Sequence, residues 1–338
     1  MLLAVVKAFA YGSDAVQIAH ELVALGVDYF AVAYVSEGVA LRKAGIQTPI
    51  LVLHPQPINF NMILDHDLEP SLYSFKTLVE FAKIAEANRQ KNVPVHIKFN
   101  TGLNRLGFQE PELIKVTNII KAYDSIKVQS VFSHLAASED LKETAFTQAQ
   151  ITRFKSIAKQ FQNLCGYSFI KHLCNTSGVV NFPEAQFDMV RCGIGLYGYD
   201  NMQKDKSKFA PVATLKTVIS QLHTVNKEET VGYNRAFKAT QDLRIATLPI
   251  GHADGIGRQY GNGVGVVCLS GQKAPIVGNV CMDMIMVDVT NIECEEGDEV
   301  VLFDQENTAE DFSKAGNTIP YELLTAVSQR VKRVFITE

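Results

Sequence analysis

A chain of 338 residues with 47% hydrophobic and 20% charged side chains reads as a globular protein too long for one ordinary core, so two domains are expected. Its formal net charge of -4 gives nucleic acid no electrostatic footing, and no basic block or apolar run of roughly 18 residues points to a membrane. The six cysteines are scattered with no CxxC pair, which argues against a zinc site; with no signal peptide in Met1-Leu-Leu-Ala-Val-Val, a reduced, cytoplasmic protein is expected.

In chain order, the apolar run Leu2–Val6 predicts a buried strand, and helical spacing over Asp14–Leu25 predicts a helix that Gly26 stops. Tyr29–Ala33 reads as a strand, and Ser36 is the expected N-cap of a helix over Glu37–Ala44 that Gly45 ends. Ile50–Leu53, Leu68–Leu72, Pro94–Phe99, Val128–Phe132 and Phe169–Leu173 repeat the strand theme, with helices over Phe75–Gln90 and Lys142–Asn163. Such alternation requires a parallel sheet with helical crossovers, and the number of units favours a (β/α)8 barrel over an open sheet. The polar stretch Asn201–Lys208 breaks the pattern, so the barrel is assigned to residues 1–203 and a second domain to 204–338. There the period falls to two: Leu215–Val225, Leu243–Pro249, Val264–Leu269, Ala274–Val289 and Glu299–Phe303 read as strands of an all-β domain. One late helix is expected after Thr308, with Asp311 completing a capping-box-like pattern and Gly316 closing it.

In a barrel of this kind the chemistry sits where the strands end. Lys7 ends the first strand, where a lysine can bond an aldehyde cofactor, although a lysine there taken alone is more often just solvated. Arg105 projects from the turn of Lys98-Phe-Asn-Thr-Gly-Leu-Asn-Arg-Leu-Gly107; it is suited to a carboxylate or a phenolate oxygen, and an ordinary surface turn accounts for it equally well. His134 and His172 each lie at a strand end, and each alone is more often structural. The loop Asn175-Thr176-Ser177-Gly178 offers hydroxyls and backbone N–H groups to a phosphate. The glycine-dense stretch Met189–Gly198 carries Arg191; close approach of backbone to a ligand explains the glycines, and so does a turn. Together these residues fit a cofactor with a phosphate, a ring to orient and an aldehyde to hold.

At this point the residues resemble alanine racemase, the barrel class of pyridoxal-phosphate enzymes, from Lys7 to about Val334. Val5-Val-Lys7-Ala-Phe-Ala-Tyr11-Gly resembles the cofactor-lysine motif, and Arg105 falls in a Thr-Gly-x-x-Arg-Leu-Gly stretch. Phe187-Asp-Met-Val-Arg191 with Gly193-Ile194 resembles the segment whose arginine faces the pyridine nitrogen. Val231-Gly-Tyr233, Leu248-Pro-Ile-Gly251 with Ala253-Asp-Gly255, and Cys281-Met282-Asp283 follow in the family's order.

The resemblance implies a homodimer with shared sites that interconverts L- and D-alanine with pyridoxal 5'-phosphate and supplies D-alanine for peptidoglycan. It implies that Lys7 carries the cofactor and is the base on one face of the substrate, with Tyr233 from the partner subunit the base on the other. Arg191 would face the ring nitrogen and Arg105 the phenolic oxygen. Tyr11, Thr176, Tyr321 and the Gly193–Ile194 backbone, beside Asn175, would hold the phosphate. His134 and His172 would connect Arg191 with Tyr233, while Arg105, Met282 and Asp283 would meet the substrate. Free tyrosine and lysine titrate near about 10 and 10.4, so both bases must be shifted to act near neutrality. Arginine keeps its proton, so Arg191 would leave the ring nitrogen unprotonated and restrict transamination.

The chain departs from the pattern in places. The family places a helix and a strand ahead of the lysine strand, so those first elements are expected to be lacking here, as in a fragment, a mis-assigned start or part of a longer polypeptide. Ser13-Asp14 stand where His-Gly is usual, Phe9 and Asn100 replace an Asn and an Asp, and Thr176 replaces a common Ser. Lys98 aligns with a lysine that is carbamylated in some members. His252 replaces a tyrosine of the entry channel, which would broaden the substrate range or make it pH-sensitive. The competing functions are a serine or lysine racemase, a non-catalytic cofactor-binding barrel, a degenerate regulatory domain and, by fold analogy alone, a decarboxylase.

Overall fold

Short apolar runs flanked by amphipathic stretches form a parallel barrel because strands covered on both faces need apolar residues on both. The structure, a computed structural model, describes residues 1–200 and 209–336. It divides into two compact units. The first holds Met1–Ala10 and Asp14–Leu196; the second holds Tyr11–Ser13, Tyr197–Tyr199 and the described C-terminal part. The stretch Asn201–Lys208, where the domain boundary is expected, lies outside the described residues.

The first unit contains β1 (Leu2–Val5), β2 (Tyr29–Val32), β3 (Ile50–Val52), β4 (Glu69–Leu72), β5 (Val93–Lys98), β6 (Ile126–Phe132), β7 (Ile170–His172) and β8 (Val190–Cys192). All pairings are parallel, in the order β7-β6-β5-β4-β3-β2-β1-β8. A parallel bridge between His172 and Met189 joins the two ends. This is the expected eight-stranded barrel, with β1 as its first strand.

Local capping explains where the crossover helices begin. Asp14 starts the helix Ala15–Ala24, its carboxylate accepting from Val16 N at 2.9 Å and Gln17 N at 3.0 Å. The next helix runs Val35–Lys43 and not from Glu37, so Ser36 lies inside it. The cap is Glu37, whose carboxylate accepts from Ala33 N at 2.7 Å, Tyr34 N at 3.0 Å and Ala8 N at 2.7 Å. A carboxylate in the first turn reaches back to donors that a serine hydroxyl cannot serve together.

The Ala8 contact matters because the chain after β1 does something the sequence does not announce. Ala8, Phe9, Ala10 and Tyr11 all have φ between 49° and 56°, and Gly12 follows at 83°. Lys7–Gly12 is thus a left-handed helical turn, closed by Ala10 N donating to Val6 O at 3.0 Å. Each non-glycine residue so held costs roughly 1–2 kcal/mol. Gly12 cannot be replaced cheaply either, since a Cβ there would lie 2.0 Å from Leu324 O.

The second unit is a seven-stranded antiparallel sheet in the order β10-β13-β16-β15-β14-β17-β9, with a separate hairpin of β11 (Thr230–Val231) and β12 (Phe237–Lys238). Its strands are β9 (Leu215–Val218), β10 (Gln221–Val225), β13 (Leu243–Leu248), β14 (Val266–Leu269), β15 (Gln272–Val277), β16 (Ile285–Asp288) and β17 (Glu299–Phe303). Two expected strands are each split in two. Leu215–Val225 becomes β9 and β10 at opposite edges, because Ile219 N bonds Asp298 O while Ser220 N already bonds Thr247 O. Ala274–Val289 becomes β15 and β16, and the loop between them carries Met282 and Asp283. The late helix Ala309–Ala315 is capped by Thr308 Oγ1 accepting from Asp311 N at 3.2 Å and ends at Gly316. A second helix, Pro320–Ala326, was not expected; Pro at its first position marks it. Among the described residues no helix is long and apolar enough to cross a membrane.

Glu37 serves three backbone donors and Asp14 two at an ordinary cap, so their losses should differ. We expect Glu37→Ala to lower unfolding free energy by about 3 kcal/mol and Asp14→Ala by about 1 kcal/mol, measured by urea denaturation. Equal losses would show that Glu37 does no more than cap its own helix.

Candidate active site

The strand ends of the first unit gather a cluster of cations. Arg191, on β8, is only 4% exposed, and its guanidinium is held entirely by lone pairs. One terminal nitrogen bonds His172 Nδ1 at 2.7 Å; the other donates to Ser133 O at 2.7 Å and Leu173 O at 2.9 Å and bonds His134 Nδ1 at 3.2 Å. None of these partners is an anion. Burial therefore pulls the Arg191 pKa down to about 10, still far enough above neutrality to keep the side chain protonated.

The histidines respond in the same sense. Burial first, and then Arg191, hold His172 and His134 well below the usual histidine range, so both are neutral near pH 7. Phe132 stacks on His172 with ring centroids 4.8 Å apart and lies within reach of two cations, Arg191 at 5.4 Å and Lys98 at 5.6 Å.

Lys7 stands in the opening turn of the left-handed segment, half-buried. Desolvation and the nearby Arg105 lower its pKa, and Glu37 opposes them. Lys98, at the end of β5, is 7% exposed; burial, then Arg105, Arg191 and Lys7, bring it down to about 8. Arg105 lies in the exposed turn after β5. Arg105 lowers Lys7, and Arg105, Arg191 and Lys7 lower Lys98, while Glu37 opposes the shift at Lys7, so the cluster is charged for an anionic ligand. The amine of Lys7, shifted toward its neutral form, is the nucleophile such a cluster offers to an aldehyde. The donor set thus fits a phosphate-bearing aldehyde cofactor.

Beside β8, Thr176 Oγ1 accepts from Gly193 N and Gly195 N, both at 3.2 Å, which brings the expected phosphate elements Thr176, Gly193 and Ile194 together. Asn175 starts the short helix Thr176–Asn181, its Oδ1 accepting from Gly178 N at 2.9 Å and from Ser138 Oγ at 2.8 Å.

The other expected residues lie in the second unit. Tyr11 stacks on Tyr197 with centroids 4.6 Å apart and meets Tyr321 at 5.9 Å. Burial and Tyr321 push its hydroxyl above the usual tyrosine range, so it is a donor. Tyr233 sits between Gly232 (φ 78°) and Asn234 (φ 60°) at the tip of the β11–β12 hairpin, 74% exposed. Asn279 Nδ2 holds Tyr233 O at 3.0 Å, which ties the hairpin to the loop of Met282 and Asp283. His252 N and Ala253 N reach the same loop, bonding Cys281 O and Met282 O. Arg330 then joins Asp283 Oδ1 at 2.7 Å to Asp254 at 2.6 Å. Tyr233, His252, Met282 and Asp283 are therefore neighbours on one edge, and all four are exposed.

Sequence reasoning missed Glu37, Tyr197, Asp254 and Arg330, and it missed Glu69, His96 and Ser130 inside the barrel. A signal existed for the last group. Glu69 and Ser71 on β4, and His96 and Lys98 on β5, put polar groups at period two into strands whose other residues are apolar.

Comparison with known proteins agrees with this geometry. A family model described as alanine racemase, N-terminal domain, matches residues 1–201, and one described as alanine racemase, C-terminal domain, matches residues 212–335. "Alanine racemase 1" of Clostridium acetobutylicum is 36% identical over 349 residues, covering 99% of this chain and 89% of that protein. Among solved structures, alanine racemase from D-cycloserine-producing Streptomyces lavendulae superposes with a TM-score of 0.94 at 28% identity, covering 100% of this chain and 91% of that one. Alanine racemase from Bartonella henselae with covalently bound pyridoxal phosphate superposes with a TM-score of 0.90 at 30% identity, covering 99% and 92%. The chain belongs to the alanine racemase family of pyridoxal-phosphate-dependent isomerases.

Proposed function

We propose that this chain interconverts L- and D-alanine by a two-base mechanism in a homodimer whose sites are shared between subunits. The observation that carries this reading is the separation of the two bases. Lys7 lies among barrel cations, whereas Tyr233 is presented on an exposed hairpin tip of the β-rich unit. Racemisation needs one proton-handling group on each face of a planar carbanion, and such groups must come from different structural elements.

Pyridoxal phosphate, when bound, supplies the aldehyde and the electron sink that acidify the substrate Cα–H. Lys7 would hold it covalently, and burial and Arg105 lower its pKa in the direction that a base for the Cα proton needs. Thr176 with the Gly193–Ile194 backbone, beside Asn175, would bind the phosphate, and the family pattern assigns Tyr11 and Tyr321 to the same group. Arg191 would face the ring nitrogen, and because it stays protonated it leaves that nitrogen without a proton. Arg105 would meet the phenolic oxygen and the substrate carboxylate. Tyr233, Met282 and Asp283 would come from the partner subunit. The family's role, supply of D-alanine for peptidoglycan in the cytoplasm, is extended here to this chain.

Mixing Lys7→Ala chains with Tyr233→Phe chains tests the shared site. At equal mixing half of the dimers are mixed and one of their two sites keeps both bases, so about a quarter of wild-type activity should return. Proven subunit exchange with no recovered activity would contradict a shared site.

Lys98 gives a second test. Its pKa in the folded protein is about 8, below its ordinary value of 10.5. Between those values the unfolded chain binds a proton that the folded one has released, so Lys98 favours folding increasingly as pH rises through 8. Buried thiols such as Cys174, raised to about 12, act oppositely in the same window, so the comparison is with Lys98→Met, in which they cancel. Between pH 7.5 and pH 9.5, as run by urea denaturation, wild type should gain on the order of 1–2 kcal/mol relative to Lys98→Met. A constant difference would show that Lys98 is not desolvated.

A further inference from the structure

Beneath Arg191 the barrel interior carries a set of polar groups to which the racemisation scheme gives no part. His172 Nε2 lies 2.8 Å from Ser130 Oγ, which lies 2.6 Å from His96 Nδ1. His96 Nε2 lies 2.6 Å from Glu69 Oε2, and the same oxygen accepts from Tyr29 OH at 2.9 Å. Tyr29 OH in turn accepts from Gln129 Nε2 at 3.2 Å. Tyr29, Glu69, His96, Ser130 and His172 are all buried, on β2, β4, β5, β6 and β7. The interior of such a barrel is ordinarily filled by branched apolar side chains. Polar groups in their place are tolerated only when each is hydrogen-bonded.

The two ends of this chain dictate its direction. A guanidinium only donates and a carboxylate only accepts. Arg191 therefore donates to His172 Nδ1, which puts the His172 proton on Nε2, toward Ser130. Ser130 accepts it and passes its own hydrogen to His96 Nδ1. His96 then carries its proton on Nε2 and donates to Glu69. The reverse order would need a proton from the carboxylate, and it would turn an N–H of His172 against the guanidinium.

We propose that Glu69 is a positioning residue for Arg191: it fixes the proton order of the chain His96–Ser130–His172 from the end opposite the guanidinium, and so polarises the His172 Nδ1 lone pair that Arg191 itself selects. This rests on the reading of Arg191 as the partner of the cofactor ring. The chain also gives the buried guanidinium a carboxylate at the far end of a polarised relay, where its direct contacts are neutral. His172, held well below its usual titration by burial and by Arg191, stays in the neutral form that the chain requires.

Nitrogen NMR of histidine-labelled protein reads the proton order directly and without catalysis. In wild type, His96 and His172 should each show a protonated Nε2 and an accepting Nδ1. Glu69→Leu should leave His96 as a mixture of tautomers, while Arg191 still holds His172 with an accepting Nδ1. Ser130→Ala should leave His96 locked by Glu69 and His172 locked by Arg191, but with the link between them cut. Each variant should lower racemisation kcat about tenfold with little change in KM for alanine. The double variant should fall no further than either single one, because both cut one chain. Glu69→Gln keeps an acceptor oxygen and should restore the wild-type tautomers and most of kcat.

The proposal is overturned by a wild-type His172 protonated at Nδ1, by single losses that multiply in the double variant, or by wild-type tautomers and kcat in Glu69→Leu. If Glu69→Leu does not fold, the wild-type spectrum and Ser130→Ala decide in its place: a wild-type kcat in Ser130→Ala contradicts the relay. A wild type that keeps this proton order and makes no D-alanine would count against the functional reading and not against the proton order.

Discussion

The site depends on a guanidinium placed inside a barrel with no anion touching it among the described residues. Removing such a charge from water costs several kcal/mol unless hydrogen bonds replace its hydration. Arg191 recovers them from two backbone carbonyls and two imidazoles, and those partners fix what surrounds it. His134 and His172 must be neutral to accept, and they are. The carbonyls of Ser133 and Leu173 must point inward, which sets the chain direction where β6 and β7 end. Arg191 is thus a fixed positive charge with little freedom to move or titrate, as the role proposed for it beside a ring nitrogen requires.

Around it the other cations act on one another. Arg105 makes protonation of Lys7 less favourable, and Arg105, Arg191 and Lys7 do the same to Lys98. Burial first, and then Arg105, shift Lys7 toward its neutral amine. Glu37 links this electrostatics to the backbone. Its carboxylate raises the Lys7 pKa against the arginine, and it also holds the left-handed turn that presents Lys7. Placement of Lys7 is therefore stabilised by the group that tunes it, and the backbone strain there is offset by charge-assisted hydrogen bonds.

Much of this was legible in the sequence. Lys7, His134 and Arg191 stand at or just after strand ends, where a parallel barrel puts its chemistry, so strand periodicity marked them as candidates and the family resemblance supplied their expected roles. Thr308 and Gly316 marked their helix by ordinary capping chemistry. The left-handed turn was not legible, because Ala8–Tyr11 contains no glycine and its conformation depends on a carboxylate 29 residues away. The break between β9 and β10 was hidden because apolar residues run through Ile219 while the hydrogen-bonding partner changes. Glu69 and His96 were passed over because a polar residue within a strand reads as one facing solvent; only barrel closure turns that face inward.

The central claim, a lysine and a tyrosine acting on opposite faces of alanine, is tested most directly by incubating L-alanine with the protein and pyridoxal phosphate in deuterium oxide. Products are separated by chiral chromatography and weighed by mass spectrometry, beside Lys7→Ala. The account predicts D-alanine bearing one deuterium at Cα from the earliest turnovers, remaining L-alanine largely free of it, and no product from Lys7→Ala. Cofactor-loaded wild type that forms no D-alanine, or D-alanine that keeps its original proton, would contradict it.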